Sequence, residues 1–291
     1  MENNLISWMA EKSSGFSKGQ KKIAQYITEH YDEAAFMTAW RLGQTVGISE
    51  STVVRFATEL GFDGYPQLQK AMQELIRSRL TTLQRIEVSR ARMADDEVLE
   101  DVMSYDMSNI RQTLEEMPRD IFYAAVDAIV RAKKVYIFGA GSCAAIASFA
   151  AYYFKMFLND VRLIQATGQS EIFEEMIRVS PEDVVIGISF PRYSSRAVKT
   201  LQYANSKDVK VIAITDSKTS PIAALASYLL LAHSDMASVV DSLAAPLSVI
   251  NALIVAVSLK CLEGRRDILT ELESLWNSQQ VYLSTDGEAE K

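Results

Sequence analysis

The chain has 291 residues, of which 48% are hydrophobic, and a formal net charge of −7. This length predicts about two domains, and the hydrophobic content allows a buried core in each. Two cysteines and two histidines exclude a disulfide scaffold and a structural zinc cluster, and we expect no metal or cofactor. No apolar run reaches the roughly 18 uninterrupted residues of a membrane span, and the first residues lack the basic and apolar regions of a signal peptide, so we expect a cytoplasmic protein.

Charge is unevenly distributed along the chain. Residues 1–92 contain 12 basic and 10 acidic side chains, whereas the remainder contains 18 basic and 27 acidic ones. A slightly basic segment favours contact with a phosphate backbone, and an acidic remainder favours small molecules or a second copy of the chain. We therefore expect the two parts to have different partners.

The amino-terminal third of the sequence shows helical periodicity and no strand-like alternation. Ile23, Ile27 and Tyr31 recur at the spacing of one helix face, which is typical of an amphipathic helix. We therefore predict an all-α domain over residues 1–80. The polar, helix-compatible sequence that follows predicts a helical connector over residues 81–120.

The segment TAWRLGQTVGISESTVVRFATELGF predicts two helices joined by a tight turn. The first helix is expected to run from Thr38 to Val46 and to stop at Gly47, and Ser49 is placed to cap the second. In a helix-turn-helix unit the second helix enters the major groove of DNA and presents its amino-terminal residues to the bases. The residues predicted to contact operator DNA, on this helix and among the lysines upstream, are Ser49, Glu50, Ser51, Thr52, Arg55, Lys21 and Lys22.

Five short apolar runs rich in Val and Ile occur in the second half, separated by helical sequence: KVYIFGAG, VRLIQATG, DVVIGISF, VKVIAITDS and YLLLAHSD. Strands that are apolar on both faces and alternate with helices form a parallel sheet covered on each side. We therefore predict an α/β domain over residues 121–270, with a five-stranded parallel sheet flanked by helices. Asp241 is expected to cap a long apolar helix that ends at Gly264, and residues 278–291 are expected to be disordered.

The helix-turn-helix segment also carries a resemblance to a known family. ISESTVVRFATELGFDGYPQLQ resembles the signature of the RpiR/MurR transcriptional regulators, in which a helix-turn-helix domain precedes a SIS (sugar isomerase) domain that binds phosphosugars. The resemblance extends over nearly the whole chain. It implies an all-α helix-turn-helix domain followed by an α/β SIS domain, and a regulator that modulates operator binding when it senses an anionic sugar, in particular a phosphosugar.

The resemblance also implies a ligand site on two turns of the SIS domain. The turn after the first strand supplies a serine, here Ser142, and the third strand is usually followed by the motif ISxSGET. In this chain Pro191 and Arg192 replace the middle serine and the glycine of that motif; proline has no N–H to donate, whereas a guanidinium can restore affinity for an anion. The residues expected to bind the ligand are Ser142, Ser189, Arg192, Tyr193, Ser194, Ser195 and His233.

Three alternative functions use the same sequence features. IFGAGSCAA matches the dinucleotide-binding pattern GxGxxA, but the next strand offers Gln165 instead of the acidic residue that holds a ribose. A phosphosugar isomerase with an added helical domain needs a base beside the loop, and the sequence identifies none, so no catalytic residue is predicted. A scaffold that does not bind DNA would bury the outward face of the recognition helix in its assembly.

The expected partners follow from the regulator interpretation. They are double-stranded operator DNA, a small anionic sugar and a second copy of the chain. Operators of helix-turn-helix proteins mirror the symmetry of the protein, so we expect a homodimer or a homotetramer. The apolar helix after Asp241 and the helices before Lys134 are available for its interfaces, and no contact with a membrane is expected.

Overall fold

The structure, a computed structural model, describes residues 8–9, 12–77, 81–83, 85–86, 97–235 and 240–282. The chain forms two compact units, Met1–Tyr105 with Met236–Asp241, and Asp106–Asp235 with Ser242–Lys291. Residues 87–96 of the predicted connector and the predicted disordered tail beyond residue 282 lie outside the described residues. The predicted domain limits therefore stay predictions.

The first unit is built from helices: α1 (Lys18–Glu29), α2 (Tyr31–Ala34), α3 (Ala39–Val46), α4 (Glu50–Glu59) and α5 (Tyr65–Arg77). Helix α1 begins with a capping box, in which the Ser17 hydroxyl accepts the N–H of Gln20 and the Gln20 side chain accepts the N–H of Ser17. Ile23 and Ile27 of α1 share one core with Phe56 of α4. The all-α prediction for this part of the chain is confirmed.

The second unit is an α/β fold. Its strands are β1 (Val135–Gly139), β2 (Val161–Leu163), β3 (Val184–Ile188), β4 (Lys210–Thr215) and β5 (Tyr228–Leu231). They form one parallel sheet in the order β2–β1–β3–β4–β5. The helices are α6 (Val98–Glu116, which enters this unit at Asp106), α7 (Arg119–Arg131), α8 (Cys143–Phe157), α9 (Gln169–Met176), α10 (Ser195–Asn205) and α11 (Ala244–Ser278). The predicted five-stranded parallel sheet is confirmed.

Each strand contributes side chains to both faces of the sheet. In β1, Val135 and Ile137 pack with α7, α8 and α11, whereas Tyr136 and Phe138 pack with α9 and α10. Successive strand residues point to opposite faces, and every residue of β1 and β3 is buried. Burial on both faces explains why these runs are apolar without alternation.

Helix α11 differs from its prediction at both ends. It begins at Ala244, and Asp241 does not cap it, because the Asp241 carboxylate pairs with Arg85 at 3.0 Å. The helix also continues through Gly264 and ends at Ser278. The residues after Gly264 include several strong helix formers, which compensate for the modest cost of one glycine in a helix.

Helix α11 is also long and apolar enough to cross a membrane, judged by length and composition alone. Its buried side chains, from Ala245 to Val257, belong to the core of the second unit and pack with α7 and α8. This packing accounts for the apolar character of the first half of the helix.

Candidate functional site

The turn between α3 and α4 depends on two glycines. Gly47 ends α3 with a φ of +69°, in the left-handed region that favours glycine. At Gly43, a Cβ would lie 2.7 Å from the carbonyl oxygen of Ile48, so only glycine lets the turn pack this closely on α3. The sequence predicted the stop at Gly47 but missed Gly43, because its role comes from a contact across the turn.

Helix α4 has one face in the core and one face in solvent. Its buried residues are Val53, Phe56 and Ala57. The residues predicted to contact DNA occupy the other face: Ser49, Glu50, Ser51 and Arg55 are exposed, and Thr52 is half-buried. A recognition helix needs such an exposed amino-terminal face to reach base edges in the major groove.

The hydroxyls at the start of α4 contact one another instead of capping the helix. Ser49 occupies the N-cap position, but its side chain accepts no N–H of the helix, so the predicted side-chain cap is wrong. Ser49 Oγ lies 3.1 Å from Ser51 Oγ and 2.9 Å from Thr52 Oγ1. Arg55 Nε donates to the carbonyl oxygen of Ser51 at 3.2 Å, which holds the guanidinium along the exposed face.

The two lysines predicted to contact phosphates lie on α1. Lys21 and Lys22 are both exposed, and α1 packs against α4 in the same unit. Trp40, the second residue of α3, is 59% exposed, a feature that the sequence did not single out. Its side chain combines a large apolar ring with an N–H donor, and such a residue is seldom this exposed without a partner.

The predicted ligand residues follow β1 and β3, which are neighbours in the sheet. Gly139, the last residue of β1, is opposite Ile188, the last residue of β3. The turns that follow, residues 140–142 and 189–194, therefore lie at one edge of the sheet. The strand order also reverses at β1, which has β2 on one side and β3 on the other, and open α/β sheets bind ligands at such a point.

The loop after β3 is tied to this edge by hydrogen bonds. Ser189 is buried, and its Oγ accepts the N–H of Ser194 at 3.4 Å. The hydroxyl of Tyr193 donates to Oδ1 of Asp216, which follows β4, at 2.9 Å. Ser194 is the N-cap of α10, although its side chain does not cap the helix, and Ser195 is the first residue of the helix. The positive end of the α10 dipole therefore lies in this loop.

Arg192 adopts a backbone conformation that favours glycine. Its φ is +62°, and a side chain in this left-handed region costs about 1 kcal/mol. The family motif has glycine at this position, so the loop keeps the backbone shape although the residue has changed. Arg192 is exposed.

The turn after β1 carries Ser142 and borders a cavity. Ser142 is the exposed N-cap of α8, and its side chain does not cap the helix. The glycines of the turn line a cavity of about 190 Å³, which Arg196 of α10 also lines. Arg196 was not among the ligand residues predicted from the sequence. It could have been predicted, because it is a second basic residue close after Arg192, in the first turn of the helix that follows the loop.

His233 lies after β5, which β4 separates from β3. Its Nε2 is 2.9 Å from the Glu116 carboxylate, and its backbone N–H donates to Thr113 Oγ1 at 2.8 Å; both partners are on α6. Across the described part of the chain, no hydrogen bond joins His233 to the loop after β3. The predicted part of His233 in ligand binding stays a prediction.

His, Cys, Asp and Glu side chains could also form a metal site or a reactive thiol. Over residues 12–77, 97–235 and 240–282, no group of three or more His, Cys, Asp or Glu side chains is arranged to hold a metal. Cys143 is buried at the start of α8, and Cys261 is half-buried in α11. Burial raises the pKa of the Cys261 thiol, which disfavours the reactive thiolate at neutral pH.

Two family models match the chain: the rpiR-family helix-turn-helix domain at residues 3–79 and the SIS domain at residues 128–256. The HTH-type transcriptional regulator HexR of Escherichia coli is 25% identical over 294 residues, which cover 97% of this chain and 99% of that protein. HexR of Pseudomonas aeruginosa is 24% identical over 228 residues, which cover 76% of this chain and 75% of that protein.

Solved structures are similar to both units. The sugar isomerase domain of an RpiR transcription factor from Sphaerobacter thermophilus has a TM-score of 0.58 at 28% identity, covering 61% of this chain and 99% of that chain. The NanR protein of Vibrio vulnificus, complexed with ManNAc-6P, has a TM-score of 0.57 at 18% identity and covers 95% of this chain and 99% of that chain. The second likeness is one of fold.

The fold and the two sites define a class of protein, a DNA-binding regulator in which a helix-turn-helix unit is combined with a SIS-type α/β unit. The rpiR-family and SIS matches, together with the regulators among its relatives, give the particular family. The chain belongs to the RpiR family of transcriptional regulators. The prediction of a transcriptional regulator with this domain composition is confirmed.

Proposed function

We propose that the protein binds operator DNA through α4 and α1, and that a phosphosugar bound at the sheet edge changes its operator affinity. The observation that carries the proposal is the joint position of the turn after β1 and the loop after β3 where the strand order reverses. Serine hydroxyls, the amino terminus of α10 and the Arg192 guanidinium occur there, a combination suited to a phosphate. The ManNAc-6P complex of V. vulnificus NanR supports a ligand of this class.

We infer that the bound sugar is not isomerised. Aldose–ketose isomerisation needs a base that moves a proton between adjacent carbons. The Asp216 carboxylate accepts hydrogen bonds from Tyr193 and Thr215, and His233 pairs with Glu116. Because both groups already have hydrogen-bond or ion-pair partners, these interactions support a sensor rather than an isomerase. Incubation with phosphosugars in D₂O should therefore give no isomer and no deuterium incorporation by NMR; turnover lost in His233→Ala would contradict it.

A second copy of the chain is the partner that fits the apolar surface of the second unit. In this unit α6 exposes Met107, Ile110 and Leu114, and the last two line an apolar cavity of about 320 Å³ together with Phe122 and Val249. Exposed apolar patches of this kind mark protein interfaces. We therefore propose a homodimer, or a homotetramer built from it, in the cytoplasm. Leu114→Glu should shift the sedimentation coefficient to that of a monomer.

The central test is an anisotropy titration of the full chain on a labelled operator selected from a random DNA library. N-acetylmannosamine 6-phosphate and glucose 6-phosphate are the first ligands to add. A coupling free energy of about 1.4 kcal/mol changes the operator Kd about tenfold. Lys199→Ala, which removes an exposed cation of α10, should respond like the wild type. An operator Kd that no phosphosugar changes at millimolar concentration would contradict the proposal.

A further inference from the structure

Helix α4 exposes one apolar side chain, Val54. The structure describes this helix in full, and its other apolar side chains, Val53, Phe56 and Ala57, are buried. Val54 is 39% exposed. An aliphatic residue inside an amphipathic helix normally faces the core, so Val54 departs from the pattern of its own helix.

Val54 lies on the face that is predicted to contact DNA. Residues three and four positions apart are neighbours on a helix, which places Val54 between Ser51 and Thr58. Both neighbours are polar and exposed. The Ser51 hydroxyl lies 3.1 Å from that of Ser49, and the Thr58 hydroxyl donates to the carbonyl oxygen of Val54 at 3.3 Å. The isopropyl group of Val54 is therefore an apolar point in a polar surface.

Thr52, which also carries a methyl group near the start of α4, is oriented differently. A Cβ at Gly19 of α1 would lie 3.6 Å from Thr52 Cγ2, so this methyl group packs toward α1. Thr52 is half-buried, and its hydroxyl lies 2.9 Å from Ser49 Oγ. A recognition helix presents its amino-terminal residues to the bases. Among residues 50–54, Val54 is therefore the one that offers exposed methyl groups to DNA.

The major groove contains an apolar group that matches Val54. Thymine presents its C5 methyl group there, beside the donors and acceptors of the base edges, and apolar side chains contact it. Hydroxyl and guanidinium groups, such as those of Ser51 and Arg55, read the donors and acceptors instead. We propose that Val54 contacts a thymine methyl group in each half-site of the operator and thereby selects thymine at one base pair. This inference rests on the proposed function, in which α4 enters the major groove.

The test removes the methyl group from the DNA and leaves the protein unchanged. In the operator selected from the random library, each thymine is replaced in turn, in both half-sites, by deoxyuridine, which lacks the C5 methyl group and keeps the same base pairing. Anisotropy titrations of the full chain should show a loss of about fourfold in affinity per half-site at one thymine position, as expected when one methyl group leaves an apolar contact.

A substitution in the protein assigns this contact to Val54. Val54→Ala should bind the original operator more weakly by a similar factor and should be insensitive to deoxyuridine at that same position, because the two changes remove one shared contact. Alanine is a better helix former than valine, so the variant should keep its fold. Thr28→Ala shortens another exposed β-branched side chain, on α1, and should keep the full deoxyuridine penalty.

Three results would overturn the inference while the proposed function stands. The first is an operator in which deoxyuridine weakens binding at no thymine position. The second is a penalty that stays fourfold in Val54→Ala, which would assign the methyl contact to another residue. The third is weaker operator binding by Val54→Ala together with a lower sedimentation coefficient, which would place Val54 in an interface between two copies of the chain. Failure of the full chain to bind any selected DNA would count against both proposals.

Discussion

Helices α4 and α10 begin in similar ways, in very different surroundings. Each has a serine at its N-cap, Ser49 and Ser194, with further hydroxyl residues beside it, and neither N-cap side chain accepts a helix N–H. Both helix starts therefore present backbone donors and the positive end of a dipole to a partner. What surrounds them decides which partner fits.

The start of α4 lies in solvent, whereas the start of α10 lies at the edge of a buried sheet. Ser51 and Arg55 are exposed, and among the described residues their side chains form hydrogen bonds with the N-cap Ser49 and within α4. In contrast, Ser189 is 3% exposed and holds the Ser194 N–H, and Tyr193 anchors the loop to Asp216. An exposed helix start suits a large partner read by side chains, and an anchored loop suits a small anion held by the helix amino terminus together with the side chains of the loop.

The largest expected effect comes from a change that damages the first unit and leaves the second intact. In Gly43→Ala the added Cβ would lie 2.7 Å from the Ile48 carbonyl oxygen, and we expect a loss of about 3 kcal/mol of stability in the first unit, because backbone atoms must move. Operator binding should disappear while phosphosugar binding remains. Thermal denaturation measures the stability, and calorimetry measures the phosphosugar binding. Gly15→Ala, where a Cβ meets nothing within 4 Å, is the control; unchanged operator affinity in Gly43→Ala would contradict the close turn.

The second prediction removes the cation of the α10 loop. Arg192→Ala should weaken phosphosugar binding by about 2 kcal/mol, since a hydrogen bond to a charged group is lost, and leave ligand-free operator affinity unchanged. An anisotropy titration should give a flat ligand response for this variant, with Lys199→Ala responding normally. If Arg192→Ala responds with the wild-type midpoint, the anion site lies elsewhere in the unit.

The third prediction tests base recognition by α4. Arg55→Ala should lose about 1.5 kcal/mol of discrimination at one position in each half-site, because its forked donors read a base edge. Lys21→Ala and Lys22→Ala should instead weaken binding to all sequences and lower the salt slope by about one. Binding to a library of operator variants at several salt concentrations distinguishes these effects. An Arg55→Ala variant with unchanged sequence preference would place the readout on other residues.

The smallest expected effect concerns backbone strain at the loop. Arg192→Gly restores the residue type that a φ of +62° favours, and should raise the free energy of unfolding by about 1 kcal/mol. The same variant should lose ligand affinity as Arg192→Ala does. Urea denaturation of both variants measures the difference between them. Equal midpoints for the glycine and alanine variants would show that the conformation carries no cost.

The residues that the sequence located well act through local rules. Gly47, the helix-turn-helix and the five strands follow from capping preferences and from periodicity, which depend on neighbours in the chain. Positions governed by distant partners were missed or misread. The Ser49 hydroxyl contacts the hydroxyls of Ser51 and Thr52 instead of accepting a backbone N–H of the helix, and Asp241 pairs with Arg85 instead of capping α11.

The sequence by itself determined the order of helices and strands and the helix-turn-helix, because hydrophobic periodicity and turn chemistry are written in consecutive residues. The serines expected to bind a ligand came from the family resemblance and stay a prediction. Only the tertiary structure decided which turns share an edge, since that depends on the pairing of β1 with β3. It also placed Arg196 on a cavity wall beside Thr167, and His233 against Glu116. Such contacts join residues 29 and 117 positions apart, and they form only when the sheet brings distant segments together.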